Sequence, residues 1–501
     1  MIRAVIGTIV GALLALSAVL VLERDRTDIV QQQMLWGDTP VTWMQRPAST
    51  GPVIIITHGF AGSRQLMQAY QISLANAGYV TFSFDFEGHG RNRQQMRGDV
   101  TAIDGTTRYL MEELARVTDR AIDEVGQANG LAYLGHSMAS DIIIRQAMRD
   151  PRVATTAALS VFSLAITSEE PRSLLMINGQ WEAGLRAAAQ SVMQQIGARE
   201  GDRIRDVTGF ARAALVAPMT EHIGILYSRA AIAEVIGWYD AEFGITRESP
   251  PSIAPYGVII LGGFVGIVMA LGGLATLGFG GKPRRVLPIT PRAFWLSVLL
   301  PALITPMVLR GASVPFLPVI LADYLALHLA LYGGLAIAIL LITGHGSVIF
   351  PTPRRVLRSL WIGIGFGAAA LGLMGLYLDR YVGSFWAGGA RLLPFVMILI
   401  GALPAMIADA ALISAARAPI WKRILVRFAF LASLGLAVAL DFDRMLFLIL
   451  ILPVILLFYA SFGFVYGRLG RGQAAVLGMG LALGVSLAWA LAASFPLFQA
   501  G

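Results

Sequence analysis

From Pro255 to the end of the chain, eight apolar runs alternate with short loops. Each run is about the length a helix needs to cross a hydrocarbon layer of roughly 30 Å. Such a layer offers no water to unpaired backbone groups, so runs of this kind fold as helices packed on one another. They fall near 256–280, 294–310, 322–343, 360–379, 392–415, 426–441, 445–467 and 474–496. A ninth run, Val5 to Leu22, lies between Arg3 and the charged flank Glu23-Arg24-Asp25-Arg26. No small-x-small cleavage site precedes that flank, so the run reads as an uncleaved signal anchor rather than a removable signal peptide.

Charge divides the chain in two. Residues 23–250 carry 21 Lys and Arg against 26 Asp and Glu, whereas residues 251–501 carry 17 against 5. The net charge of +8 is therefore a property of the apolar half, where basic residues sit between spans. That placement fits a topology in which Lys and Arg stay on the cytoplasmic side, and it removes the nucleic-acid reading that a basic chain invites. The basic loops alternate: Lys282, Arg284, Arg285 and Arg292; then Arg354, Arg355 and Arg358; then Arg417, Lys422, Arg423 and Arg427; then Arg468 and Arg471. The intervening turns hold only Arg310, Arg380, Arg391 and Arg444. Nine spans threaded through this pattern put the N-terminus in the cytoplasm, with residues 23–255 and the C-terminus outside it. The expected organisation is an anchor at 1–22, an extracytoplasmic domain at 23–250 and a membrane domain of about eight helices at 251–501, in a plasma membrane of the bacterial inner-membrane kind.

Gly363-Ile364-Gly365-Phe366-Gly367 and Gly478-Met479-Gly480 supply the small residues that let membrane helices approach closely. Asp409, Asp323 and His328 are candidates for an ion or substrate path, or else satisfy one another. Asp379-Arg380 and the Asp441–Arg444 segment are expected as solvated turns facing the soluble domain.

Within that domain Val53-Ile54-Ile55-Ile56-Thr57 reads as a buried parallel strand, and the same grammar recurs at Tyr79–Phe84, Leu131–Leu134, Ala157–Phe162, Ser173–Ile177 and Ala213–Val216. Amphipathic stretches such as Ser63–Ala77 and Thr106–Val125 lie between most of them, which predicts a doubly wound, mostly parallel α/β sheet beside an all-α polytopic membrane domain. Gly135-His136-Ser137-Met138-Ala139 follows one strand and opens the amphipathic stretch Ser140–Arg149. Small residues around a serine permit a sharp strand-to-helix turn that lifts its hydroxyl clear of the sheet. His58-Gly59-Phe60-Ala61-Gly62-Ser63 follows the first clear strand, where a backbone N–H can face an oxyanion, so Phe60 N–H is expected to pair with Met138 N–H.

A serine nucleophile needs a base, and the chain has six histidines. His328 and His345 belong to the membrane half. His58, His89 and His136 precede the serine in glycine-bounded loops, with His58 expected to stabilise its loop, whereas His222 follows the last strand. The order serine, acid, histidine then asks for a carboxylate at a strand end between 137 and 222. Glu182, after Leu174–Trp181, is the choice; Glu169, Glu170, Asp202 and Asp206 are the reserves.

With these pieces in view, residues 50–240 resemble an α/β-hydrolase. The likeness rests on the strand ending at His58-Gly59-Phe60, the loop Asp85-Phe86-Glu87-Gly88-His89-Gly90-Arg91-Asn92, the elbow at Ser137, the strand ending at Glu182, and His222 with its following segment. It covers under half the chain. It implies Ser137 as nucleophile, His222 as general base then acid, Glu182 as the orienting carboxylate, and Phe60 with Met138 as oxyanion donors. Ala139 stands where glycine is commonest, and Glu182 where aspartate is commoner.

The expected function is a membrane-embedded serine esterase or lipase acting on an ester, drawn from lipid, through an acyl-enzyme. Only ten residues separate Phe162 from Ser173, too few for an inserted helical lid, so the site should be open and closed by membrane domain or bilayer. Acyl transfer, or a transporter whose hydrolase-like domain only binds ligand, are the rivals. Neither a metal constellation nor a phosphate-cradling glycine loop is visible, and cysteine is absent, so no metal, cofactor or thiol chemistry is expected. The expected partners are the bilayer and an ester or lipid substrate; oligomeric state is left open.

Overall fold

The computed structural model describes residues 1–99, 102–126, 129–279, 289–311, 321–386, 388–414, 418–446, 448–470 and 476–499. After an N-terminal helix α1 (Ile2–Arg24), the chain builds one nine-stranded sheet in the spatial order β1-β2-β4-β3-β5-β6-β7-β9-β8. The strands are β1 (Val30–Trp36), β2 (Thr39–Gln45), β3 (Val53–Thr57), β4 (Val80–Phe84), β5 (Leu131–His136), β6 (Val153–Leu159), β7 (Ser173–Gly179), β8 (Arg203–Arg205) and β9 (Ala211–Ala217). β4, β3, β5, β6, β7 and β9 run parallel, while β1, β2 and β8 add antiparallel edges.

Alternation along the central strands feeds two cores. Ile54 and Ile56 of β3 face one side with α2 (Gln68–Asn76) and α6 (Arg229–Phe243). Val53 and Ile55 face the other with α3 (Arg108–Val125), α4 (Met138–Ala147) and α5 (Ala183–Gln194). The chain leaves β3 toward α2 on one face and leaves β5 toward α4 on the opposite face, although β3 and β5 are neighbours. A crevice opens at the carboxyl ends of strands wherever successive connections diverge in this way. Phe60 and Ser137 stand on its two sides.

The expected strands are present, with differences at their ends. The sixth stops at Leu159 rather than running to Phe162, because Ser160 turns the chain at φ 50°. The hairpin β1–β2 and the short β8 carry no apolar run: β1 holds three consecutive glutamines, and β2 contains Pro40.

Among the described residues, nine helices are long and apolar enough to cross a membrane: Ile2–Arg24, Tyr256–Phe279, Pro291–Val308, Ala322–Ile342, Pro353–Tyr381, Gly389–Ile413, Ile420–Leu440, Ile451–Leu469 and Val476–Ser494. α7 (Tyr256–Phe279) lies along α1, with Gly11 against the Gly266 carbonyl so closely that a side chain on either would clash. The glycines at 363 and 478 meet likewise, and Gly478 N–H donates to Ser359 Oγ at 2.8 Å. Arg354, Arg355 and Arg358 lie within the first turns of helix Pro353–Tyr381 rather than in a loop, since Pro353 is pre-set for a first helical position. Lys282, Arg284, Arg285, Arg417 and Arg471 lie outside the described residues.

Two polar clusters sit inside the helical region. His328 shares its ring nitrogens with Ser433 Oγ at 3.0 Å and Tyr324 Oη at 3.4 Å, so it is satisfied by its neighbours. Asp409 is buried 3.6 Å from the Arg427 Nε.

The seam between the sheet and the long apolar helices is polar as well as apolar. Asp379 and Arg380 are not solvated turns: Asp379 binds Arg91 of the β4–α3 connection at 2.5 Å, and Arg380 binds Glu23 at 2.7 Å. Ser384 N–H donates to Ser63 Oγ and its hydroxyl to Gln65 Oε1. Arg391, 3% exposed, donates to the carbonyls of Ala492, Phe495 and Gly88. The C-terminal strip continues the seam, with Leu497 N–H donating to Gly88 O and Met96 N–H to Leu497 O at 2.8 and 2.7 Å.

Candidate active site

The β5–α4 junction puts Ser137 at φ 54°, ψ −119°, a conformation that costs a non-glycine residue roughly 1–3 kcal/mol. Its neighbours make the turn possible. A side chain at Gly135 would come within 2.8 Å of Ile143 and 2.9 Å of Thr57 Oγ1, and one at Gly59 within 2.9 Å of Ser137 Cβ. Thus the loop after β3, which carries Phe60, passes directly against the elbow, which carries Met138. Met138 is the first residue of α4, so its N–H has no carbonyl in an earlier helical turn to bind. Ala139, in the place where glycine is commonest, is fully buried without disturbing the helix.

The serine, histidine and glutamate singled out in the sequence meet at this rim. His222 Nε2 lies 2.9 Å from Ser137 Oγ, and His222 Nδ1 lies 2.6 Å from Glu182 Oε1. A carboxylate only accepts, so the partners assign the proton to Nδ1 and leave Nε2 free to accept from the serine hydroxyl. Glu182 Oε2 accepts from Gly179 N–H at 2.5 Å and from Ser160 Oγ at 2.9 Å. Burial alone would raise the Glu182 carboxyl, but donation from His222, Gly179 and Ser160 outweighs it and holds the group below its ordinary value. Of the reserve acids, the Asp202 carboxylate accepts from Arg199 N–H and that of Asp206 caps the turn to Phe210, while the Glu169 and Glu170 backbones donate to Thr167 Oγ1.

The remaining soluble-domain histidines are structural. His58 is fully buried, donates from Nδ1 to Gly59 O at 2.9 Å and accepts Phe86 N–H at Nε2, as expected of a loop-stabilising residue. Burial lowers its pKa despite Asp85 nearby. His89 contacts Glu87 O at 2.8 Å and is held well below its ordinary value by burial and by His58.

His136 and Ser160 were not singled out. His136 Nε2 lies 2.8 Å from the His222 carbonyl, so it donates there and fixes the backbone carrying the base; burial, then the His222 charge, pushes its pKa down to about 3. Its place beside the serine in Gly-His-Ser is the signal it offered. Ser160 ends a strand with no motif around it.

His222 keeps 45% of its side chain exposed, and the loop 160–172 contributes no helix over it. Phe162, Trp181 and Met219, which flank the site residues in sequence, are 55%, 63% and 77% exposed. Among the described residues no group of acidic or histidine side chains has metal-binding geometry.

Residues 48–200 match the family described as "Serine aminopeptidase, S33". The chain thus contains an α/β-hydrolase domain, of the serine-hydrolase type, joined to a helical region of long apolar helices. Similar solved structures include TT1662 from Thermus thermophilus, 16% identical over 44% of this chain and 99% of its own, with a TM-score of 0.34. Dienelactone hydrolase from Anabaena variabilis is 15% identical over 43% and 97%, at 0.32, and epoxide hydrolase VrEH1 from Vigna radiata 17% identical over 27% and 39%, at 0.22. No curated protein matches. Fold does not fix the reaction, which must come from the site.

Proposed function

We propose that the protein is a membrane-embedded serine hydrolase that cleaves a carboxylic ester drawn from lipid. The hydrogen-bonded relay from Ser137 through His222 to Glu182 carries this reading. Ser137 attacks the carbonyl as His222 Nε2 takes its proton, and Glu182 stabilises the imidazolium and keeps its orientation. Phe60 and Met138 N–H bind the tetrahedral oxyanion, each donor worth about 3 kcal/mol of barrier. The acyl-enzyme forms as His222 returns the proton to the leaving alkoxide. Water, deprotonated by the same imidazole, then releases the acid and restores the serine.

The exposed apolar side chains that flank the site residues in sequence favour an acyl chain over a polar peptide, and Glu221, the carboxylate next to His222, is spent on Ile223 and Gly224 N–H. In this reading the hydrolase domain works on the extracytoplasmic side of a plasma membrane of the bacterial inner-membrane kind, and membrane domain or bilayer delivers the substrate. The test is product analysis of the full-length protein with acylglycerols and lysophospholipids, with and without added alcohol. Free fatty acid lost on Ser137→Ala supports the reading. Products formed only with an alcohol acceptor would make it an acyltransferase, and no turnover by folded protein would favour a ligand-binding domain serving a transporter.

A further inference from the structure

Two cavities lie back to back in the seam; the apolar one reaches Ala61 and Gly62 of the loop that carries Phe60, but neither is lined by Ser137, His222 or Glu182. The first, about 400 Å³, is lined by Arg26, Arg64, Arg91, Arg380 and Asp379 together with glutamines from β1, α2 and the segment before it. Three of these arginines have carboxylate partners: Arg64 with Asp85, Arg91 with Asp379 and Arg380 with Glu23. Arg26 is held instead by neutral amide oxygens, Gln68 Oε1 and Gln31 Oε1, the latter at 3.4 Å, and by the Tyr381 ring. Its buried Nε and that of Arg91 have no hydrogen-bond acceptor. Burial, reinforced by Arg380 and opposed by Glu23, depresses the Arg26 pKa, and the four arginines here face only the three carboxylates Asp85, Asp379 and Glu23. Such a pocket is matched by an anion with several acceptor oxygens.

The second cavity, about 230 Å³, is apolar, and its lining includes Leu66, Phe264, Leu378, Leu457 and Ala493. Leu457 is exposed on the outer surface of its helix, so the cavity reaches the lipid-facing side. Adjacent residues divide between the two spaces: Ser63 and Arg64, Gly90 and Arg91, Leu378 and Asp379. The polar space lies at the end of the long helix Pro353–Tyr381, the level at which lipid headgroups sit, and the apolar one lies among the helices. An ion alone would leave the second cavity unused, and a neutral tail would leave the arginines unanswered.

We propose that this pair of cavities holds one anionic phospholipid of the surrounding bilayer, its phosphate against Arg26 and an acyl chain in the apolar space. Ser137, His222 and Glu182 are not part of either lining, so the lipid acts as a joint between hydrolase and membrane domains, distinct from any molecule that is turned over.

Native mass spectrometry of the full-length protein, equilibrated in detergent with phosphatidylglycerol, with diacylglycerol or with inorganic phosphate, tests this. One phosphatidylglycerol per chain is expected to remain bound, at least tenfold above diacylglycerol. Arg26→Gln and Ala493→Trp each should cut that retention at least tenfold, with elution volume and circular dichroism as checks on folding. Equal retention of diacylglycerol overturns the phosphate contact, and this comparison needs no variant. Full retention by folded Arg26→Gln overturns the assigned residue. Displacement of the lipid by millimolar phosphate makes the site one for a free anion and overturns the lipid.

Discussion

The rim around Ser137 and the seam between sheet and long apolar helices both gather charged side chains, but they use them in opposite ways. At the rim, His222 is nearly half exposed and its partners hold it in one orientation while leaving the serine accessible. At the seam, Arg391 is buried and its donors are consumed by carbonyls from two domains. The first arrangement stores reactivity and the second stores position. Substitutions at the rim should therefore alter turnover with little change in melting, whereas substitutions at the seam should alter melting first.

The sharpest separation is expected from Ser137→Ala, which should lower ester turnover by about 10⁴-fold or more. Its thermal midpoint should stay within a degree or two of the parent, because the strained backbone remains. Glu182→Gln comes next, with a loss of about 10³-fold in kcat, since the amide no longer fixes the Nδ1–H tautomer. Arg391→Ala should cost about 2–4 kcal/mol by leaving the Ala492, Phe495 and Gly88 carbonyls without their donor. The readout is a midpoint of the full-length protein lowered by several degrees in calorimetry; an unchanged midpoint would erase the contrast between rim and seam.

Acidification probes the rim's foundations. His58, His89 and His136 are fully buried with depressed pKa values, so they stay neutral in the fold while the unfolded chain protonates near 6.5. Their contribution is present above that pH and is lost as pH falls below it; for His136, pushed down to about 3, the loss runs at about 1 kcal/mol per pH unit from about 6.5 toward 3. Melting curves between pH 7.5 and 4.5 should show the decline, and His136→Gln should flatten it. The smallest effect belongs to Ser160→Ala, about tenfold or less in kcat, because Gly179 N–H still holds the same Glu182 oxygen.

The same contrast explains what the sequence disclosed. The β-branched run at Val53–Thr57, the glycines around Ser137 and the chain order ending at His222 are local constraints, each legible because a strand, a turn or a connection demands particular residues. The long apolar helices are legible for the same reason, since a bilayer dictates length and composition. The β1–β2 hairpin was not, because Gln31, Gln32 and Gln33 carry no strand signal, and Gln33 is held by Arg64 from a distant part of the chain. Nor was the seam: Asp379 and Arg391 look like residues of solvated turns until the fold brings Arg91 and Gly88 beside them. His136 and Ser160 act only through their contacts to His222 and Glu182, which depend on four separate strand ends arriving together.

The most direct measurement is the site and rate of fluorophosphonate attachment to the intact, full-length protein, read by peptide mapping. The relay predicts a single adduct on Ser137, absent in Ser137→Ala and slowed at least a hundredfold in His222→Ala. Folded protein that takes no adduct, or takes it on another serine at an undiminished rate in His222→Ala, would contradict the account.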